Sequence, residues 1–155
     1  MTTTFDTASI ESTANYVWYM LTHESELSET QVDYLYRAMR DIRIRDEVIR
    51  LTVHQRDNRP VWIAIAHHLG EVMGSSTILN SNAGTVMAIM SWLDGDNEWA
   101  HEAVTRVLGA DPSHSLAFLL RTCIMTGLPQ EAWVEGAMAL DRATCLHLND
   151  KGEQS

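Results

Sequence analysis

The side chains here that could bind a metal, attack a carbonyl or move protons are histidines, two cysteines and clustered carboxylates. His67 and Glu71 stand four residues apart, which puts both on one helical face where they can chelate an ion. On the same wheel His67 falls opposite Trp62, His68 falls at the flank, and the spacing supplies no third ligand; the pair reads as a solvated surface face. Asp94, Asp96 and Glu98 alternate like the start of a calcium loop. Such a loop needs glycine at its sixth position and glutamate at its twelfth, where this chain has Trp99 and Thr105. Glu98, His101 and Glu102 share a face and also read as solvated. Cys145 and His147 are two apart on a helix and point to different sides, while Cys123 lies in an apolar stripe, so no thiol–imidazole nucleophile is expected. The glycines are dispersed, mostly at helix ends, with no phosphate-cradling motif. The expectation is therefore a protein that is not an enzyme, with no catalytic residues, no metal site and no cofactor.

The elements that must carry these residues are helical. Apolar positions recur at helical spacing through nearly all of the chain, with no alternating β-branched run and no hairpin turn signature. Helices are expected at 7–22, from the Ser28–Gln31 capping box, from Asp41 or Arg45 to His54, and from Pro60. Four more are expected at 83–93, at 97–108 behind an Asp96 cap, from Pro112 or Ser113 to Thr126, and from Pro129 to about His147. The polar stretch from Gly74 to Asn82 reads as a hinge or sub-domain junction, residues 1–6 as a frayed tail and 149–155 as a polar tail.

The chain has 155 residues, enough for one helical domain over 1–155, with an N-terminal part at 7–73 and a second part at 83–147. Lys+Arg is 11 against Asp+Glu 21, a formal net charge of −10. That sign disfavours general nucleic-acid binding, which draws its affinity from neutralised phosphates. Seven arginines from Arg37 to Arg59 run against this balance; interleaved Asp33, Asp41, Asp46, Glu47 and Asp57 make a salt-bridged surface the default reading, with a local anion or partner patch as the alternative. No stretch approaches the length of a membrane span and no leader with a charged n-region is visible, so a cytoplasmic protein with reduced core cysteines is expected.

The second half carries an internal similarity. With Gly95 over Gly127, Met87 falls on Leu119, Ala100 on Ala132, Val107 on Ala139 and Leu108 on Leu140. Each unit is a helix, a glycine turn, a second helix and a short exit. The pattern resembles a tetratricopeptide repeat: Met87, Ala88, Gly95, Ala100, Val104, Val107 and Pro112 fit the first unit, and Leu119, Gly127, Ala132 and Ala139 the second, with Thr144 in place of its proline. The resemblance implies an all-α, right-handed array of two helical pairs capped by the N-terminal helices, about eight helices in all.

A second resemblance covers roughly residues 30–135. Ser91-Trp92-Leu93-Asp94-Gly95-Asp96, the segment from Ala103 to Ala117 with its Ala110-Asp111-Pro112 exit, Gly127-Leu128-Pro129 and Arg43-Ile44-Arg45-Asp46 are similar to motifs in the C-terminal half of an actinobacterial family, domain of unknown function 4192. The larger N-terminal region of typical members is absent, as in a free-standing half carried by a bacteriophage. That family supplies a fold and no chemistry.

Stacked pairs of the repeat type leave a concave groove lined by the first helix of each pair. By that resemblance the binding residues are Asn82, Thr85, Trp92, His114 and Arg121, joined by Ile89, Ala117 and Ile124. The expected function is a non-catalytic protein–protein interaction module holding a peptide or helix with apolar anchors, and a homodimer is one expected assembly. The alternative is an acidic, phage-encoded inhibitor or decoy that occupies a basic surface of a host protein.

Overall fold

The computed structural model describes residues 7–148, and the two expected tails lie outside them. The described residues form nine helices and no strand: α1 (Thr7–His23), α2 (Glu29–Ala38), α3 (Ile42–His54), α4 (Arg59–Met73), α5 (Ser81–Leu93), α6 (Asn97–Ala110), α7 (Ser115–Thr126), α8 (Gln130–Met138) and α9 (Arg142–Cys145). No described helix is long and apolar enough to cross a membrane.

Local chemistry sets most boundaries. Ser28 Oγ accepts from the Gln31 amide at 3.1 Å while the Gln31 side chain accepts from the Ser28 amide at 2.9 Å, the reciprocal box that opens α2. Asp41 opens α3, Asn80 opens α5 and Asp96 opens α6, each accepting a first-turn amide. Pro60 sits in the first turn of α4. Helix α7 starts later than its proline suggested, because the His114 side chain is its N-cap. The expected 129–147 helix is two helices: α8 stops at Met138, and the Asp141 carboxylate caps Thr144 at 2.8 Å to begin α9.

One hydrophobic cluster runs from Ile10 to Leu146 through both halves. At its centre is α5, which packs on α3, α4, α6 and α7. Its buried residues are Ala83, Gly84, Thr85, Val86, Ala88, Ile89, Met90 and Trp92, positions all round the helix rather than on one stripe. The Gly74–Asn82 segment is exposed from Gly74 to Ile78 and tied to α2 at its C-terminal end. Asn80 is buried, its side-chain amide donates to the Tyr36 carbonyl at 2.8 Å, and the Tyr36 hydroxyl donates to the Ile78 carbonyl.

The two expected helical pairs fare differently. Gly95, at φ 86°, turns the chain so that α6 packs back along α5. Gly127, at φ 72°, also ends its helix in a left-handed turn, with the Leu128 amide donating to the Cys123 carbonyl at 3.1 Å. Yet α8 does not return along α7; it crosses to α3. The reason lies in its anchors: Gln130 donates to the Trp92 carbonyl, and Trp133 meets the Trp92 ring edge-on at 6.3 Å. The second pair therefore does not repeat the first.

The α5–α6 contact depends on the missing side chain at Gly84. A Cβ there would stand 2.7 Å from Val107 Cγ2 and 3.2 Å from Met73 Cε. The branched valine has little freedom to retreat. Gly84→Ala should lower stability by about 1–3 kcal/mol despite its better helix propensity. Val107→Ala introduced beside it should recover part of that loss, read by urea unfolding of the single and double variants.

Candidate functional site

The five residues expected to line one groove are placed in three environments. Thr85 is fully buried and bonds back to the Ser81 carbonyl of its own helix at 2.8 Å. Trp92 is 2 % exposed, beneath Trp133. Ile89 and Ala117 are buried with them. These are core residues, and α5 is covered on this side by α3 and by Gln130 and Trp133 of α8. Arg121 lies elsewhere on α7, with its guanidinium 5.2 Å from the centre of the exposed Phe118 ring.

Asn82 and His114 are brought together. His114 Nε2 and Asn82 Oδ1 are 2.7 Å apart, and the Ala117 amide donates to His114 Nδ1 at 3.1 Å. With Nδ1 accepting, Nε2 carries the proton and the ring is neutral. Burial holds the His114 pKa below its ordinary value and the nearby Arg45 adds to this, against a smaller opposing pull from Asp111. Asn82 in turn donates to the Met39 carbonyl at 2.8 Å, so the pair ties α7 and α5 to the end of α2. Beside it lies a polar pocket of about 320 Å³ bordered by Tyr36, Arg40, Asn80 and Asp111.

The arginine-rich segment is largely consumed in ion pairs. Arg37 meets Asp33, Arg43 meets Asp41, Arg45 meets Asp46 and Arg59 meets Asp94. The decisive member is Glu47, 1 % exposed. Its carboxylate accepts from Arg50 at 2.7 and 2.8 Å and from Arg142 at 2.8 Å. Arg142 also donates to Asn15 Oδ1 at 2.6 Å and to the Glu11 carbonyl at 3.2 Å, joining α1, α3 and α9. Next to this network the Cys145 thiol is pushed up to about 11 by burial and by the Glu47 and Asp46 charges, so it stays protonated at neutral pH.

An open groove of about 560 Å³ lies where α7 and α8 diverge over α3. Its walls include Ile49, Leu116, Leu119, Cys123, Trp133 and Leu140. Leu119 is 54 % and Leu140 is 42 % exposed, and Leu128, also on the wall, is exposed. The residue pattern did carry a signal for it. Helix α7 has Leu116, Phe118, Leu119, Leu120, Cys123 and Ile124, a wider apolar stripe than one buried contact needs.

A separate polar group lies on α4. His68 is 1 % exposed and its Nε2 is 2.7 Å from the Glu24 carbonyl oxygen. His67 Nε2 and His68 Nδ1 stand 3.7 and 3.6 Å from Glu71 Oε1. The sequence reading placed His67 and Glu71 together on a solvated face; the structure adds His68, buried, beside them.

A family model described as a domain of unknown function, DUF4192, matches residues 5–131. The chain belongs to this family. No curated protein and no solved structure matches it. The matched range takes in α1 through α7 and ends near the start of α8, so Trp133 and Leu140 on the groove wall lie beyond it.

Two outcomes follow from these placements. Trp92→Ala should cost about 3–5 kcal/mol by opening the α5–α8 contact, whereas Arg121→Ala should cost under about 1 kcal/mol, both read by chemical denaturation. For His114 the folded pKa lies below the unfolded one. Its contribution is present above the ordinary histidine pKa and is lost as pH falls from there through the lowered folded value. Thermal melts between neutral and mildly acidic pH should show less pH dependence in His114→Asn, which can cap α7 without titrating.

Proposed function

We propose that this protein is a non-catalytic interaction module that takes an amphipathic helix into the apolar groove between α7 and α8. The observation carrying this reading is the exposed leucine-lined trough itself, since surface of this kind on a folded domain marks a site where apolar side chains of another molecule are received. Trp133 offers the type of anchor that dominates binding energy once water is excluded.

Charge favours the identity of the occupant. The chain carries −10, and Glu135 stands exposed on α8 next to the groove-lining Gly136, while Glu131 lies 3.6 Å from Arg56. A second copy would bring the same acidic surface to the mouth and repel it. A helix with an apolar stripe and basic flanks fits both features. The charge also motivates a second reading, an acidic decoy that covers a basic surface through its polar face and leaves the groove unused.

The test places charge in the groove without touching the core. Leu119→Asp with Leu140→Asp should retain helicity and lose a partner that wild type and Arg121→Ala both capture from extracts of the encoding cells. A synthetic peptide of that partner's helix should shift the emission of Trp133, compared against Trp133→Phe. An unchanged partner set in the double aspartate variant overturns the groove. If that retained partner dissociates steeply with added salt, the decoy reading stands in its place.

A further inference from the structure

We propose that His67, His68 and Glu71 form a binding site for a divalent transition-metal ion of the zinc type. The three ligand atoms, His67 Nε2, His68 Nδ1 and a Glu71 carboxylate oxygen, lie within 4.8 Å of one another on one face of α4.

His68 is the decisive member of the three. It sits on the buried side of α4 with Ile65, Leu69 and Val72. The Glu24 carbonyl can only accept a hydrogen bond, so the Nε2 nitrogen 2.7 Å away carries the ring proton. In the neutral imidazole, Nδ1 then presents a bare lone pair. That atom is shielded from solvent and has no hydrogen-bond partner. A buried, unpartnered acceptor is unusual in a folded protein and calls for an explanation. Here it faces Glu71 Oε1 at 3.6 Å, and His67 Nε2 lies 3.7 Å from the same oxygen.

Both separations are too long for hydrogen bonds. They are close to the roughly 3.3 Å between two ligands that each stand about 2.0–2.1 Å from a tetrahedral zinc. His67 and Glu71 are exposed and can turn toward the ion, while His68 is already fixed. The bond from His68 to the Glu24 carbonyl is the kind of outer contact that sets tautomer and ring direction in metal-binding histidines.

Two imidazole nitrogens and one carboxylate oxygen select zinc, cobalt, nickel or copper over magnesium or calcium, which prefer all-oxygen shells. The solvent side leaves a fourth position for water. Through the Glu24 contact, the bound ion would brace α4 against the connection between α1 and α2.

Zinc chloride titrated into the full chain should bind with one equivalent at micromolar affinity and raise the melting temperature, and cobalt should give a visible d–d spectrum. His67→Ala and Glu71→Gln lie at exposed positions and should each weaken binding about tenfold or more with helicity unchanged. His68→Gln keeps a donor for the Glu24 carbonyl, removes the Nδ1 lone pair and should abolish the cobalt spectrum. Absence of zinc binding to wild type at millimolar concentration overturns the site. So does binding that survives both exposed substitutions, or a preference for calcium or magnesium. The apolar groove is unaffected by any of these results, so the two readings fail separately.

Discussion

The burial of α5 on every side is the constraint around which the molecule is arranged. A helix that packs on α3, α4, α6 and α7 at once has no solvent face to give to a ligand. It must be small where neighbours come close, as at Ala83, Gly84 and Ala88, and large where the layers separate, as at Ile89, Met90 and Trp92. Its polar members are satisfied locally: Thr85 bonds to its own helix, and Asn80 caps its first turn. Because α5 is interior, the chain's second half cannot behave as a free-standing stack. The N-terminal helices are part of the same core rather than a cap laid over its end.

Electrostatics completes that arrangement at one point. Most ion pairs of the arginine-rich segment are partly exposed and contribute little to stability, as surface pairs do. Glu47 is different. A carboxylate withdrawn from water is tolerated only with its lone pairs filled, and Arg50 and Arg142 fill them. Arg142 comes from the far end of the described chain and holds Asn15 and Glu11 as well, so one buried charge fixes the first and last helices together. Of the arginines, Arg50 and Arg142 are the two that meet this buried carboxylate, while pairs such as Arg37–Asp33 and Arg59–Asp94 stay at the surface.

The two sites discussed differ in how far the residue pattern could reveal them. The groove was hidden by an assumption of repetition: Gly127 makes the same left-handed turn as Gly95, and only the anchoring of Gln130 and Trp133 on Trp92 shows that α8 goes elsewhere. The metal-ligand group was half visible. The four-residue spacing of His67 and Glu71 was plain, but His68 on the helical wheel gave no sign that one ring nitrogen would be tethered to Glu24 and the other left facing Glu71. Asn82 and His114 do meet, and there the His114 ring caps α7 through one nitrogen and meets Asn82 through the other.

The amino-acid order by itself determined the all-helical class, the family, and most helix starts, since caps at Ser28, Asp41 and Asp96 act over three residues and need no distant partner. It also set the net charge. The path of α8, the interior position of Trp92, the partners of Glu47 and the exposure of the α7 leucines were decided only in three dimensions. Each depends on residues about 40 to 130 positions apart, as in the bonds from Gln130 to Trp92 and from Arg142 to Glu11. Helical periodicity says which face of a helix is apolar; it is silent on which neighbour covers that face, or whether any neighbour does.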